Sequence, residues 1–354
     1  MNRKFVALLA VSVLVLNTVV FAAADTRSNK AKLAQANALV ALLPASDGIA
    51  VLDSKRFFAD ALPSLLAANQ PVLSGIMEKL EEMKARTGFD LRQFEHIAVG
   101  VTIKQVSATE VDTDPVAIAR GSFPAGGLVS LAKMGSNGKY REEKIGNRTV
   151  YIFDAKEIAA KHAPKPGSTK VAGAIDRTIS GLAKEIAVTA IDSNTLAIGS
   201  PLRVRQTLES PARGDAELTT LLSKKPGAIM SFAARTPEGL GKHLPVDNDE
   251  LGNSVNGIRF VYGSLDVAAG NAVLQGMART QQPAQAQNLL ETLQGLQLIG
   301  KAFLGGSKGP DKDVYGRMID NAKFARSGSD VTLDLSIPQS DLDILVAGIK
   351  ITTK

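Results

Sequence analysis

The hydrophobic pattern divides the chain at once. Met1-Asn2-Arg3-Lys4 is polar and basic, Phe5 to Phe21 is almost unbroken apolar sequence, and Ala22-Ala23-Ala24 follows. A basic start, an apolar stretch and a small-residue triplet are the three parts of a secretory signal, here with its cut after Ala24. An uncleaved anchor is the alternative: a span needs about 20 apolar residues, which Phe5 to Ala24 just supplies, with Asn17 and Thr18 as interruptions. Residues 1–24 therefore read as signal and 25–45 as a flexible lead-in, polar and charged from Asp25 to Gln35.

Beyond the lead-in the periodicity becomes that of packed elements. Ile49 to Asp53 reads as a short buried strand. Phe57, Phe58, Leu62, Leu65 and Leu66 recur at helical spacing. So do Leu73, Ile76, Met77, Leu80 and Met83, which predict a helix over 71–86, opened by Pro71 and stopped by Gly88. Alternation at Ile97, Val99, Val101 and Ile103 predicts a strand, with 116–119 returning beside it across an acidic loop containing Glu110, Asp112 and Asp114. A short helix fits 125–134. Hairpins fit 140–153, turning on Gly146-Asn147, and 186–198. Residues 162–170 read as a loop, and Ser200-Pro201 opens a helix.

The second half repeats this order. A strand is expected at 228–232, a helix opened by Thr236-Pro237, a hairpin over 259–279 around Gly270-Asn271, helices at 285–304 and 312–320, a closing hairpin at 323–335, and a last helix started by Pro338. Thr195-Leu196-Ala197-Ile198-Gly199-Ser200-Pro201 resembles Thr332-Leu333-Asp334-Leu335-Ser336-Ile337-Pro338. Ile49 to Pro63 corresponds likewise to Ile229 to Pro245, each ending in Leu-Pro. The expected class is α+β, in two similar units at 46–212 and 222–354, each an antiparallel sheet with helices packed on one face. The join falls near Pro211 to Pro226.

This layout, with Leu43-Pro44-Ala45 before the first strand, resembles exported bacterial proteins of unknown function built from duplicated α+β units. The resemblance implies a fold type and an exported location. It carries no activity and no functional residue.

Composition narrows the function classes. There is no Cys among 354 residues, which removes disulfides, a lipid-modified Cys and a Cys nucleophile together. Aromatic residues make up 5% and Trp is absent, poor material for stacking sugars or bases. Lys and Arg total 41 against 35 Asp and Glu. Without Arg3 and Lys4 the excess falls from +6 to +4, scattered along the chain, so no nucleic-acid partner is expected.

Candidate chemistry is sparse. His96, His162 and His243 lack the helical spacing of a zinc pair, and His96 and His162 read as surface or boundary residues. His243 precedes Asp247, Asp249 and Glu250, a base with carboxylates near it or an acidic loop for a cation. Asp247, Asp249 and Gly252 match an EF-hand loop, but Leu251 and Ile258 stand where oxygen ligands belong, so no metal is expected. Ser130-Leu131-Ala132-Lys133 fits the Ser-x-x-Lys pattern of penicillin-binding proteins, without the Lys-Thr-Gly or Ser-Asp-Asn that accompany it, and Ser130 falls inside a helix. Gly305-Gly306-Ser307-Lys308-Gly309 follows a helix instead of opening one and reads as a cap and loop, not a phosphate cradle. Asn147-Arg148-Thr149 is a glycosylation sequon in form, with Asn147 explained by its turn.

The expectation is an exported, periplasmic or extracellular protein of the cell envelope. It is a non-enzymatic binding or scaffold protein without cofactor, partnered by an envelope protein or ligand, and touches membrane only through an uncleaved N-terminal segment. The alternatives are a carrier of a small apolar ligand and a hydrolase using Ser130 and Lys133.

Overall fold

A computed structural model describes residues 35–107, 110–154, 185–209, 215–225, 227–239, 241, 249–305 and 310–347. A helix, α1, occupies 35–40, and β1 runs Gly48–Asp53. Helix α2 follows as Ser54–Arg56, a π-helical turn Phe57–Ala61 and Leu62–Leu65. Helix α3 is Gln70–Thr87. Strands β2 (Phe94–Ser107) and β3 (Glu110–Gly121) make a long hairpin. Then come α4 (Ala125–Gly135), β4 (Tyr140–Ile145), β5 (Arg148–Asp154), β6 (Glu185–Asp192), β7 (Thr195–Gly199), α5 (Pro201–Glu209) and α6 (Ala216–Leu222). The second half comprises β8 (Met230–Arg235), α7 (Asp249–Asn256), β9 (Ile258–Ala268), β10 (Asn271–Thr280), α8 (Pro283–Gly305), α9 (Pro310–Asn321), β11 (Lys323–Ser327), β12 (Asp330–Ile337) and α10 (Gln339–Ala347).

The described strands form one antiparallel sheet of twelve, in the order β11-β12-β10-β9-β8-β1-β2-β3-β7-β6-β5-β4. This corrects the expectation of two separate sheets. The opening strands β1 and β8 pair with each other, from Gly48↔Ala234 to Leu52↔Met230. The reason is the backbone: each would otherwise present a row of unpaired N–H and C=O groups at a sheet edge. The remaining edges are short and charged. Strand β4 carries Arg141, Glu142, Glu143 and Lys144, and β11 carries Lys323 and Arg326, a pattern that discourages further strand addition.

Helices cover both faces of this sheet, another departure from the expected one-sided packing. On the first face Ile49, Val51, Ile118, Ile152, Phe260 and Tyr262 pack under Leu39 and Leu43, Val204 of α5, and Leu218 and Leu221 of α6. On the second face, Phe57 and Leu62 of α2 form a core that α3 and α10 complete. There also α4 packs on Phe153, Val188 and Leu196, and α8 brings Ala286 and Leu289 onto Val331. Neighbours such as Leu196 and Ala197 serve opposite faces, as strand alternation requires.

Local signals place most elements. Gly88 caps α3 with φ 72°, a left-handed conformation that suits glycine. Ser200 Oγ accepts from the Arg203 N–H at 3.2 Å as the N-cap of α5. Several readings shift. Residues 35–45 are not simply a lead-in, because α1 lies there and Leu39, Val40 and, after it, Leu43 are buried at 0–1% exposure. The acidic residues Asp112 and Asp114 extend β3 and pair with Lys104 and Thr102, since a hairpin ladder forms between backbones whatever the charge of the side chains. Thr236 and Pro237 are not helical, and among the described residues a turn follows them at 238–239; β8 instead runs on to Arg235.

Candidate functional site

The seam between β1 and β8 gathers the most buried polar chemistry. Asp53 ends β1, and its carboxylate accepts from the Arg56 N–H at 2.9 Å, turning the chain into α2. Asp53 stands opposite His96 of β2, a pairing that sets two side chains about 5 Å apart at Cβ. The turn sends Arg56 back across the seam. Its guanidinium donates to the Gly227 carbonyl and, at 3.3 Å, to Asp266 of β9. Asp53, Arg56 and His96 are 7%, 7% and 8% exposed. Burial pushes the Asp266 carboxyl up from its ordinary value, while the Arg56 charge works the other way.

Beside this cluster lies a cleft of about 40 Å³, lined by Ala36, Asn37, Val51, Asp53, His96, Leu222, Lys225 and Ser231. It has room for water, which needs roughly 10–15 Å³, but is far smaller than the roughly 300–1,000 Å³ of a drug-sized ligand site. A carboxylate facing an imidazole, with a lysine nearby, suits an ordered water or a small polar group. It does not have the volume to seat an apolar ligand.

A second network lies toward β12. Lys224 Nζ donates to the Tyr262 hydroxyl at 3.0 Å, and Tyr262 donates to Asp330 at 3.0 Å. Arg279 donates to Asp330 at 2.8 and 2.9 Å. That hydrogen bonding holds the Asp330 carboxyl below the usual carboxylate range. Tyr262 is 1% exposed, so its hydroxyl needs these partners.

The residues singled out from sequence fall elsewhere. Ser130 is exposed on α4 and its Oγ donates to the Gly126 carbonyl at 3.0 Å. Lys133 turns to Glu142 at 3.4 Å and lies 5.0 and 4.6 Å from the Tyr140 and Tyr151 ring centres. The described hydrogen bonds of Ser130 and Lys133 thus lead in different directions. His162, His243, Asp247 and Gly306 to Gly309 lie outside the described residues. Asp249 and Glu250 begin α7, with side chains outside the described set. Asn147 sits in the β4–β5 turn as read. His96 is not a surface residue, since β2 runs through the middle of the sheet. Among the described residues no group of three or more His, Cys, Asp or Glu could hold a metal, and no helix is long and apolar enough to cross a membrane. Sequence reasoning passed over Asp53, Arg56, Lys225 and Asp266. The one available signal was a carboxylate placed directly after the apolar run Ile49 to Leu52.

No family model matches the chain, and no curated protein matches it. Among solved structures it is similar to the Treponema protein TP0453. Crystal form I has 10% identity and a TM-score of 0.41, covering 88% of this chain and 97% of that one. Form III has the same identity and score with 87% and 97% coverage, and form IV with 87% and 96%. A likeness at that score carries no argument about function.

Proposed function

We propose that this chain is an exported protein of the cell envelope that acts by binding and scaffolding, not by turnover. The observation that carries the reading is a bare stretch of the first sheet face. Met277 packs into the core there. On the same side lie Gln275, Thr332, Asp334 and Ser336 of β10 and β12, of which Asp334 and Ser336 are exposed, and Gln275 donates to Asp334 at 2.6 Å. The opposite side of the same strands lies under α8. A polar strand surface suits a macromolecular partner, whereas the cleft at the seam is too small for the carrier alternative. The basic, apolar and Ala-rich start supports export.

The test is site-specific cross-linking. A photo-reactive residue at Ser336 is expected to capture a partner from the envelope fraction, and the same residue at Lys79 on α3 none. Capture at both positions, or at neither, overturns the reading.

We also infer that the halves are duplicated units. Support comes from following the ladders outward from the Thr195/Thr332 match, which sets Leu196 against Leu333. Leu196 pairs with Ala119 and Leu333 with Gly276. Ala119 pairs with Ile97 and Gly276 with Gly263. Ile97 pairs with Leu52 and Gly263 with Phe232. Leu52 and Phe232 are each three residues beyond Ile49 and Ile229, the independent match at the other end of each half. The two alignments therefore agree across three ladders. The symmetry breaks at the helices after the closing strands: Val204 of α5 joins the first-face core, and Leu342 of α10 joins the second-face core. That break leaves the polar face open. An experimental structure in which the rotation carrying Val51 onto Ser231 fails to bring β7 onto β12 overturns the duplication.

A further inference from the structure

We infer that residues 35–46 form a strap that opens as a unit over the seam cleft, with Arg203 of α5 as its latch. The strap has no described backbone hydrogen bond to the sheet. Its backbone bonds are local, such as Ala41 N–H to the Asn37 carbonyl at 2.9 Å and Leu43 N–H to the Val40 carbonyl at 3.0 Å. The ladder begins only with Asp47 N–H to the Val101 carbonyl at 2.8 Å. Side chains alone hold the strap down: Leu39, Val40 and Leu43 in the first-face core, and Arg203 at its end.

The latch is unusual. Arg203 is 2% exposed. Its guanidinium donates to the Ala45 carbonyl at 2.8 Å, to Ser46 Oγ at 2.7 Å and to Gln206 at 2.9 Å. Its Nε is buried and makes no hydrogen bond among the described residues, nor does any described carboxylate lie within ion-pair distance of it. Burial lowers its pKa, with Asp114 and Asp47 opposing. A buried cation satisfied mainly by the strap's own oxygens is costly when those oxygens leave and only partly compensated when they stay. The other end of the strap is also imperfectly satisfied, because the buried Asn37 Oδ1 makes no hydrogen bond among the described residues. Strands β1 and β2 are held by backbone ladders on both sides, which the strap is not, so the strap is the weaker unit.

The fit under the latch depends on Gly100 of β2. A Cβ there would lie 2.5 Å from Ser46 Oγ. Ser46 would have to rotate and would lose its bond from Arg203. Ala36 and Asn37 meanwhile wall the cleft containing Asp53, His96 and Lys225. Opening of the strap thus widens the access of solvent or a small polar ligand to that cluster, of which Lys225 is already exposed.

Native-state hydrogen exchange on the full chain tests this. Amides at Ala41 to Leu43 are expected to exchange at least about tenfold faster than those of β1 and β2, through an opening that leaves the strands closed. Arg203→Met should speed the strap by a further factor of about ten or more, with β10 and β12 unchanged. Gly100→Ala, which keeps the arginine, should act in the same direction, and adding Ser46→Ala to it should return exchange to the level of Ser46→Ala alone. The inference is overturned if the strap exchanges in step with β1 and β2, or if Arg203→Met and Gly100→Ala each leave the strap unchanged or accelerate every strand equally.

Discussion

Val51 of β1 stands directly opposite Ser231 of β8, one pair from the middle of the ladder that joins the two halves. On either side of that pair the partners exchange roles, Ala50 facing Phe232 and Leu52 facing Met230. A seam of this kind fuses the halves through backbone hydrogen bonds, and the core beneath it draws on Leu39 at one end of the described chain and Tyr262 far along it.

Unfolding should therefore be a single cooperative transition, not two. Strand β8 lies between β1 and β9, so a proline within it removes a ladder bond that a central strand needs and is destabilising. Ala233→Pro, at a 0% exposed position, is expected to lower the one transition in calorimetry without splitting it. Two separate transitions in the parent protein would show that the seam does not couple the halves.

Two glycines should respond in opposite directions. A Cβ on Gly263 would lie 2.2 Å from the Gln275 carbonyl oxygen and 2.9 Å from the Phe232 ring. Gly263→Ala should cost about 1–3 kcal/mol through backbone displacement. Gly295, inside α8, has nothing within 4 Å of its virtual Cβ, and Gly295→Ala should gain up to about 1 kcal/mol from helix propensity. Urea denaturation of the two variants reads both signs.

Asp330 makes stability depend on acid. Its pKa is depressed in the fold by the hydrogen bonds from Arg279. The stabilisation is then full above the ordinary carboxylate value and disappears as pH falls through the lower folded value. Asp330→Asn should lower Tm at neutral pH, and the gap to the parent should close as the pH is taken below about 4. A gap that is constant with pH would mean that the side chain's shape matters and its charge does not.

Ser130 and Lys133 should behave as independent surface residues. Ser130→Ala should change stability by less than about 0.5 kcal/mol. Lys133→Ala should lower stability slightly through lost contact with the Tyr140 and Tyr151 rings. Neither a β-lactam nor a fluorophosphonate probe is expected to label the protein, because the Ser130 hydroxyl is committed to the Gly126 carbonyl. Labelling abolished by either substitution would restore the hydrolase reading.

The sequence by itself determined most of the local elements. Helical spacing from Leu73 to Met83 marked α3, Gly88 marked its end, Gly146-Asn147 and Gly270-Asn271 marked two hairpins, and Ser200-Pro201 marked the start of α5. These are local effects, set by backbone conformation and periodicity within a few residues. Only the tertiary structure decided that β1 pairs with β8, that α5 and α10 pack on opposite faces, and that Asp53, Arg56, His96 and Asp266 meet. A backbone hydrogen bond is the same whichever strand supplies the partner, so a strand's own pattern does not name its neighbour. The same holds for polar residues: an arginine such as Arg203 reads like any exposed arginine until distant segments close over it and burial, not sequence, gives its charge a cost.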